Sequence, residues 1–432
     1  MTFESFSLPH TAAGSSAGPR AVAESWRAAR PSTAPGHLDA AGCNVPSDRV
    51  FDAVVQHLRR EREVGGYPAV PDFHPPKAVL ASLVGAEAGD VAFLESGTAA
   101  MAALLGGWRL PEGSRVAVTR TEFGSTLMLL RRLARLYGWQ LVELPVDDDS
   151  RLDLDGLRSL LATGLDLVTL PHIPSQRGVV QPAAEVGRLC RDAGVPLVLD
   201  VCQSLGHVDT GGIGATAYVG TSRKWLAGPR GVGFLIVPGL TGAGHEGGTG
   251  NGGGGNGAGT GKGGGRVRGE GEGGGDMDAA VPAISGHTWV DGEASPLAGA
   301  ARYETHEGPI AARVGFCVAV LEHQALGPAA VHARLAELGV TARRLLDGVG
   351  GWRVVEPLDE PSAIVTLRPP PGSDPGAAVE KAGARAVEAS LTVGVVPIAR
   401  APEDLPTPVL RVSPPPGASQ EDLRTLARVL DH

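Results

Sequence analysis

Two neighbouring stretches decide how this chain folds, VPLVLDVCQSLGH at 195–207 and TSRKWLAGPRGVGFLIV at 221–237. Each contains a short apolar run of the kind that forms a buried strand. The first run ends in Asp200, and the second stretch carries Lys224 in front of a Gly-Pro turn and a further strand. An acid at a strand end and a lysine soon after it make this region the first place to look for chemistry.

Similar apolar runs extend back along the chain from Asp200. The strand candidates between residues 91 and 237 are VAFLE, RVAVT, QLVEL, DLVTL, VPLVLD and GVGFLIV. Amphipathic helical patterns separate most of them. Such alternation predicts an α/β fold with a mostly parallel sheet that is covered on both faces. Ligands of such sheets bind in the crevice beyond the carboxyl ends of the strands.

Composition divides the rest of the chain. Residues 1–34 are rich in Ala, Ser, Gly and Pro and predict a flexible leader or a partly helical arm. A large domain is expected over 35–283, interrupted at 241–275 by an insertion of 20 glycines that predicts disorder. Residues 284–432 are predicted to form a smaller C-terminal α+β domain. Its helix patterns lie at 309–324, 328–348 and 375–389, and its strand-like runs are WRVVE, AIVTL, LTVGVV and VLRVS.

The bulk composition favours a small-molecule partner. A net charge of -9 over 432 residues disfavours nucleic acid and anionic membranes as binding partners. The four cysteines are Cys43, Cys190, Cys202 and Cys317. Their wide spacing argues against a metal site and against a dense disulfide framework. Without a secretory signal or an apolar run of spanning length, we expect a cytoplasmic protein that does not bind a membrane.

Asp200 and Lys224 together predict a site for pyridoxal 5′-phosphate (PLP). A buried carboxylate at a strand end needs a cationic partner, and the protonated pyridine nitrogen of PLP is one. Burial would lower the pKa of Lys224 and make its amine nucleophilic, so that it forms a Schiff base with the cofactor. Lys77 beside a Pro-Pro step, Lys262 in the glycine insertion and Lys381 on a helix face fit less well. Taken singly, a capping Asp and a solvated Lys are the alternatives.

Five further residues complete the predicted cofactor site. Gly97 and Thr98, in ESGTAA, follow the strand VAFLE and open a helix whose N-terminus favours a phosphate. Ser222 offers a second hydroxyl to the same phosphate. Phe123, in RTEFGS, is expected to lie on the pyridine ring, and Gln203 to hydrogen-bond the phenolic oxygen of the ring. Plain N-capping at Gly97-Thr98 and a core aromatic at Phe123 are the alternatives.

The motifs around these residues resemble those of the class V aminotransferase family of PLP enzymes. The matching segments are HLDAAGCNVPS, ESGTAA, DVCQSLG and SRKWLAGPRGVGFL, in the order and spacing of the family. The resemblance implies the PLP-dependent transferase fold type I, with a large sheet of the seven-stranded type, and a homodimer. It also implies that Arg411, in VLRVS, binds the substrate carboxylate through its planar guanidinium. An ordinary surface ion pair is the alternative for this arginine.

The chain departs from the family at two positions of the predicted site. Phe123 stands where the ring-stacking residue is often His, and Arg223 stands where the residue before the lysine is commonly His. A desulfurase of this family needs a nucleophilic Cys on a C-terminal loop. The single cysteine after Lys224 is Cys317, in a segment that predicts a packed helix, so desulfuration is disfavoured.

Four segments resemble one subgroup of the family, the C-S lyases of ergothioneine biosynthesis. They are PGHLDAAGCNVPS, HLRREREVGGYPA, TEFGS and RYETHEGP. That resemblance implies β-elimination from hercynylcysteine sulfoxide, with Lys224 taking the Cα proton. The products would be pyruvate, ammonia and a sulfenic acid that an external thiol reductant converts to ergothioneine. Asn44 and Tyr67 lie in these segments and are substrate-binding candidates; a turn Asn and a packing Tyr are the alternatives.

Two other functions stay open on the sequence alone. An aminotransferase or a cysteine-sulfoxide lyase of other specificity would keep both Lys224 and Asp200. A non-catalytic binding module of the same fold would also keep the general pattern, but it would have no use for an intact set of PLP-binding side chains.

Overall fold

The computed structural model describes residues 18–31, 36–240, 277–305 and 307–431. The glycine-rich insertion predicted at 241–275 lies outside these residues, as does most of the predicted leader. The described part of the leader forms a helix, Pro19–Ala28. Val22 of this helix packs with Val331 and Leu335 from the C-terminal part of the chain.

A seven-stranded sheet forms the centre of the larger domain, as the sequence predicts. Its strands are β1 (Val91–Leu94), β2 (Arg115–Thr119), β3 (Gln140–Leu144), β4 (Leu167–Pro171), β5 (Leu197–Asp200), β6 (Ala217–Thr221) and β7 (Gly233–Ile236). Their order across the sheet is β1-β7-β6-β5-β4-β2-β3, and β7 alone runs antiparallel to its neighbours. The other six strands are therefore parallel and end at the same edge of the sheet.

Strand β6 is absent from the apolar runs that predict the other strands. Its sequence, AYVGT, is short and mixes apolar residues with small and polar ones. Gly220 is needed for packing, because a Cβ atom there would lie 1.9 Å from the ring of Phe234 in β7. Tyr218 and Val219 are fully buried between the neighbouring strands and helices. Tertiary packing therefore makes this segment a strand despite its weak local signal.

Helices cover both faces of the large sheet and one side of the smaller domain. They are α1 (Pro19–Ala28), α2 (Ala40–Cys43), α3 (Asp48–Val64), α4 (Gly66–Ala69), α5 (His74–Ser82), α6 (Gly97–Gly107), α7 (Gly124–Tyr137), α8 (Leu154–Ala162), α9 (Ala183–Asp192), α10 (Ile310–Leu326), α11 (Pro328–Leu346), α12 (Pro375–Glu388) and α13 (Gln420–Leu430). In β4, Val168 packs with Leu157 of α8, whereas Leu167 packs with Leu104 of α6. Both faces of the strand are buried, which is why it appears in the sequence as a continuous apolar run.

The smaller domain is built on a four-stranded antiparallel sheet. The remaining strands of the chain are β8 (His287–Val290), β9 (Glu293–Pro296), β10 (Arg353–Val354), β11 (Val365–Arg368), β12 (Gly394–Val396) and β13 (Val409–Val412). Strands β8 and β9 form a separate hairpin, and the order in the small sheet is β10-β11-β13-β12. The N-terminal segment joins this domain, because His37 and Asp39 form bridges to Thr392 and Ser413. Leu38 between them is fully buried in the small-domain core.

The boundary between the two cores lies later in the chain than the predicted division at residue 284. Tyr303 packs against one face of the large sheet, and Phe316 of α10 packs against the other. The small-domain core takes its first residue beyond the glycine insertion from α11, at Leu338. The sequence of an apolar helix does not reveal which surface the helix covers. Within the described ranges no helix by itself is long and apolar enough to cross a membrane; only α10 and α11 taken together, across a bend of 85°, pass that test.

A buried carboxylate ties the small domain to the large one. Asp404, whose side chain is 1% exposed, accepts hydrogen bonds from Arg177 Nε at 2.9 Å and from Gln176 Nε2 at 3.2 Å. Ser150 Oγ lies 3.2 Å from its other oxygen, and Arg120 lies within 3.6 Å. These partners all belong to loops of the large domain, so one carboxylate fixes how the segment around residue 404 sits on that domain.

We expect Asp404→Ala to destabilise the protein strongly. The substitution leaves Arg177 buried without its carboxylate, and breaking a buried pair in this way typically lowers the free energy of unfolding by about 3–5 kcal/mol. The neighbouring Glu403 pairs with Arg131 at the surface, where both side chains are more than a third exposed. Glu403→Ala is the matched control and should change the free energy by about 0–1 kcal/mol. Urea unfolding measures both, and equal midpoints for the two variants would contradict the assignment.

Candidate active site

A cavity of about 100 Å³ opens at the edge where the parallel strands end. Its walls come from the loops that follow five of the parallel strands and from one segment of the small domain. The lining residues that matter below are Gly97, Thr98, Phe123, Ser175, Asp200, Cys202, Gln203, Thr221, Arg223, Lys224 and Arg400. Six of the predicted site residues are among them, namely Gly97, Thr98, Phe123, Asp200, Gln203 and Lys224.

The turn between β1 and α6 has the form of a phosphate seat. Ser96 caps the helix, because its hydroxyl accepts a hydrogen bond from the Ala99 N-H at 3.0 Å. The helix is therefore N-capped, but the capping residue is Ser96, and Thr98 still lines the cavity. A side chain at Gly97 would lie 2.7 Å from the Cys202 sulfur, so only glycine fits there. The free N-H groups of the first helical turn and the Thr98 hydroxyl suit an anion.

Lys224 is buried at the base of the cavity. Only 8% of the residue is exposed, and burial lowers the pKa of its amine to about 8. The charges of Arg223 and Arg411 act in the same direction, while Cys202 and Asp200 oppose the shift. A larger fraction of the amine is thus neutral near physiological pH than for an exposed lysine. This is the form that a nucleophile or a general base requires.

The loop that carries Lys224 is closed by its own hydrogen bonds. The N-H of Ala227 donates to the carbonyl of Lys224 at 3.0 Å, and the N-H of Gly228 donates to the carbonyl of Ser222 at 2.9 Å. Ala227 has a φ of +52°, a left-handed conformation that a residue with a Cβ atom adopts at a cost of about 1–2 kcal/mol. The surrounding packing therefore holds this loop in one conformation and fixes the lysine.

Ser222 does not occupy the position that the sequence predicts. It is fully buried, and its hydroxyl donates to the carbonyl of Pro229 within the same loop. Thr221 lines the cavity in its place, and its hydroxyl makes only a long bond of 3.3 Å to the carbonyl of Val232. Adjacent hydroxyls at the end of a strand point in opposite directions, and the sequence alone does not show which one faces the ligand. Of the two hydroxyls, that of Thr221 is therefore the one placed to reach a phosphate in the cavity.

Asp200 and Gln203 are oriented by neighbouring groups. The N-H of Cys202 donates to Asp200 Oδ1 at 2.7 Å, which anchors this carboxylate at the end of β5. Trp225 Nε1 donates to Gln203 Oε1 at 2.9 Å, and Gln203 Nε2 donates to the carbonyl of Ala41 at 3.0 Å. Because an indole N-H is always a donor, the amide orientation of Gln203 is fixed. One N-H of this amide stays available for an oxygen atom in the cavity.

His207 packs against Trp225, the residue that orients Gln203. Its ring stacks on Trp225 with centroids 3.7 Å apart. Burial lowers the pKa of His207 to about 3, so the ring is neutral, with Nδ1 facing the carbonyl of Gln203 at 2.8 Å. Nε2 accepts a hydrogen bond from the N-H of Ala363 at 2.7 Å. Neither Trp225 nor His207 was predicted, although Trp225 is adjacent to Lys224 in the sequence.

Phe123 lies on the wall where it can cover a flat ring. The preceding Glu122 is 1% exposed and accepts a hydrogen bond from the N-H of Phe123 at 2.8 Å. Burial, reinforced by the nearby charge of Asp200, raises the pKa of Glu122 to about 8. This carboxyl is therefore mostly protonated at neutral pH and does not compete with Asp200 for a cationic ring.

The three predicted substrate-binding residues are not among the residues that line the cavity. Arg411 is buried behind it and donates to the carbonyl of Ser175 and to Asp39 Oδ1, both at 2.9 Å. Asn44 lines a neighbouring pocket, although its N-H donates to the carbonyl of Arg223 at 2.8 Å. Tyr67 is 71% exposed on α4, and its hydroxyl donates to Glu307 at 3.1 Å. Arg411 still lies close enough to lower the pKa of Lys224.

The set of side chains around the cavity fits PLP. Lys224 supplies an amine, Asp200 a carboxylate for a pyridinium nitrogen, and Gln203 a donor for a phenolic oxygen. Thr98, Thr221 and the first turn of α6 offer donors to a phosphate. The Cys202 thiol faces the same space, and burial, with a smaller contribution from Asp200, raises its pKa so that it stays protonated. These residues can hold the cofactor without any rearrangement of the chain.

The lowered pKa of Lys224 predicts how the rate of PLP capture depends on pH. Only the neutral amine attacks the carbonyl of the cofactor, and the amine becomes neutral as the pH rises through its pKa. The rate should therefore rise about tenfold per pH unit below pH 8 and level off above it. The measurement is the growth of the absorbance band of bound PLP after mixing with cofactor-free protein.

Two lysine variants serve as controls for this experiment. Lys224→Ala should give no band at any pH, whereas Lys381→Ala, on the exposed face of α12, should behave like the unmodified chain. A capture rate that keeps rising toward about pH 10, the ordinary range for lysine, would contradict the role of burial.

Comparison with known proteins agrees with the fold and the site. The family model of class V aminotransferases matches residues 72–246. A probable hercynylcysteine sulfoxide lyase from Mycobacterium tuberculosis is 39% identical over 95% of this chain and 93% of its own length.

Solved structures show the same fold at low sequence identity. An apo cysteine desulfurase from Thermococcus onnurineus NA1 has a TM-score of 0.76 at 17% identity, covering 94% of this chain and 97% of that chain. A mutant of the protein C-DES with glycine covalently linked to its PLP cofactor has a TM-score of 0.76 at 17% identity, covering 94% and 99%. The fold is that of PLP fold type I, and the full-length relative places the sequence itself in the group. The chain belongs to the class V aminotransferase family and is an enzyme that uses pyridoxal phosphate.

Proposed function

We propose that this enzyme is a C-S lyase that cleaves hercynylcysteine sulfoxide to pyruvate, ammonia and a sulfenic acid, the precursor of ergothioneine. The observation that carries the proposal is the likeness to a probable hercynylcysteine sulfoxide lyase, which extends over 95% of the chain. The cavity supports it, because Lys224 and Asp200 lie at one site. The lowered pKa of the Lys224 amine makes it available for proton transfer near neutral pH.

The cofactor and the side chains of the protein contribute different parts of the reaction. When bound, PLP supplies an electron-withdrawing ring that acidifies the Cα proton of the amino acid it holds. With PLP bound, Asp200 would keep the ring nitrogen protonated, and Phe123 would cover one face of the ring. Lys224 Nζ would be the base that removes the Cα proton of the substrate. With a pKa near 8, this amine can accept the proton and later return it at neutral pH.

The bond that breaks is the one between Cβ and sulfur. Its electron pair leaves with the sulfur, which keeps the sulfoxide oxygen and gains a proton to become a sulfenic acid. Water then converts the remaining three-carbon fragment to pyruvate and ammonia. The sulfenic acid is reduced by an external thiol, a step that needs no residue of this chain.

The positions of the cysteines support elimination over persulfide transfer. Cys317 is the last cysteine in the chain, and it is 1% exposed within α10. Burial raises its pKa far above the ordinary thiol value, so it is not a nucleophile. A desulfurase needs a reactive cysteine on a loop that reaches the substrate, and the segment of the small domain that reaches this cavity carries Arg400 instead.

The test is to incubate the holoenzyme with hercynylcysteine sulfoxide and dithiothreitol and to follow pyruvate and ergothioneine by mass spectrometry. Both products should form in equal amounts. Lys224→Ala should lower the rate by at least about 100- to 10,000-fold, because it lacks the general base. Lys381→Ala is the matched control and should retain full activity.

Three results would overturn the assignment in different ways. Pyruvate from other cysteine sulfoxides but not from this substrate would indicate a lyase of other specificity. Keto-acid formation with transfer of the amino group to the cofactor would indicate an aminotransferase. Bound PLP with neither activity would leave the family membership intact and refute the lyase.

We also propose that the enzyme is a homodimer, as the resemblance to its family implies, and that it works in the cytoplasm, which its four widely spaced cysteines favour. Light scattering of the purified holoenzyme should give a mass of twice 44.1 kDa. A mass equal to that of a single chain would refute the dimer.

A further inference from the structure

Arg400 is a cation of the cavity that has no anionic partner among the residues that the structure describes. It ends the short turn Ile398–Arg400 of the small domain and lines the cavity. Its guanidinium carbon lies 5.6 Å from the centre of the Phe123 ring. Within the described residues, no carboxylate lies at ion-pair distance from Arg400. A half-buried guanidinium without a partner is costly, so the site has unused capacity for an anion.

The charges around Arg400 increase that capacity. Burial lowers its pKa, and the neighbouring guanidinium groups of Arg411 and Arg223 lower it further. The nearest opposing charge is Asp39, but this carboxylate is already paired with Arg411 at 2.9 Å. The carboxylate of Asp200 is held by the Cys202 N-H on the opposite domain. The cavity therefore has an excess of positive charge on the side of the small domain.

The phosphate of PLP does not account for Arg400. The seat described above is built from the N-terminal turn of α6 and from Thr221, both in the large domain. Arg223, two residues after Thr221, is a second cation that lines the cavity from the large domain. Arg400 approaches from the other domain and lies next to Phe123, which covers the ring and not the phosphate.

The position of Arg400 is fixed by contacts on both sides of it. A Cβ atom at Gly124 would lie 2.3 Å from the carbonyl oxygen of Ala399, so this turn packs directly on the N-terminus of α7. Four residues later, Asp404 is bound by Arg177 and Gln176 of the large domain. An arginine held in this way has little entropy to lose when an anion binds.

We propose that Arg400 binds an anionic group on the sulfur substituent of the substrate, remote from the carboxylate of the cysteine part. The enzyme would then select S-substituted cysteines that carry a second carboxylate and discriminate against those with a neutral substituent. This inference rests on the proposed function, because hercynylcysteine sulfoxide has a second carboxylate in its betaine half. It assigns the selectivity to a residue outside the PLP-binding set.

The first test compares kcat/KM for two substrates, hercynylcysteine sulfoxide and S-methyl-L-cysteine sulfoxide. Arg400→Gln should lower the ratio of the two values by about 10- to 100-fold, because a charge-assisted bidentate contact is lost. The ratio for Arg400→Lys should lie between that of Arg400→Gln and that of the unmodified enzyme, because lysine keeps the charge but lacks the planar guanidinium. Arg424→Gln, on the exposed face of α13, is the matched control and should keep the ratio of the unmodified enzyme. An unchanged ratio in Arg400→Gln would overturn the inference.

A second test separates this inference from the proposed function. S-(2-carboxyethyl)-L-cysteine and S-propyl-L-cysteine differ in one distal carboxylate, and their Kd values follow from the change in absorbance of the bound cofactor. The holoenzyme should prefer the first compound, and Arg400→Gln should lose most of that preference while its own absorbance band shows that PLP is still bound. If no ergothioneine forms but this preference depends on Arg400, the substrate assignment fails and the inference stands. If the preference is absent, or persists in Arg400→Gln, the inference is refuted.

Discussion

The site depends on keeping the amine of Lys224 out of water at the carboxyl edge of a parallel sheet. Desolvation lowers its pKa to about 8, and the left-handed Ala227 and the closed loop around it hold the side chain in place. Such an amine is reactive only if its surroundings are rigid, because solvent would otherwise restore its ordinary pKa. The other features of the cavity can be understood as ways of maintaining that environment.

Much of the site could be predicted because the order and direction of the strands determine where its residues lie. Gly97 and Phe123 each follow a parallel strand and Asp200 ends one, and the ends of parallel strands meet at one edge. A sequence that shows the strands therefore shows which loops converge. The same reasoning does not separate Thr221, which ends β6, from the adjacent Ser222, whose hydroxyl is turned to the carbonyl of Pro229.

Other features depend on contacts that no local pattern records. Arg400 reaches the cavity because its turn packs on Gly124, nearly three hundred residues away along the chain. Phe316, in an apolar helix of the C-terminal part, packs on the large sheet and not on the small one. Tyr67 was proposed for the substrate pocket from the motif around it, yet it lies at the surface beside Glu307.

The two domains contribute different groups to this site. The large domain supplies Lys224, Asp200 and the phosphate seat, which are the groups that the cofactor requires. The small domain supplies Arg411 behind the cavity and Arg400 at its wall, and Asp404 locks the second of these segments in place. With the role proposed for Arg400, this division separates the chemistry of the cofactor from the recognition of the substrate, so that the second can change while the first is kept.

Reduction of the holoenzyme with sodium borohydride, followed by peptide mass spectrometry, tests most directly whether Lys224 carries the cofactor. Borohydride makes the bond between a lysine and PLP permanent, so the modified residue can be located in the sequence. We expect the label on the peptide that contains Lys224 and on no other. Label on Lys77, Lys262 or Lys381, with none on Lys224, would contradict the assignment of the active site.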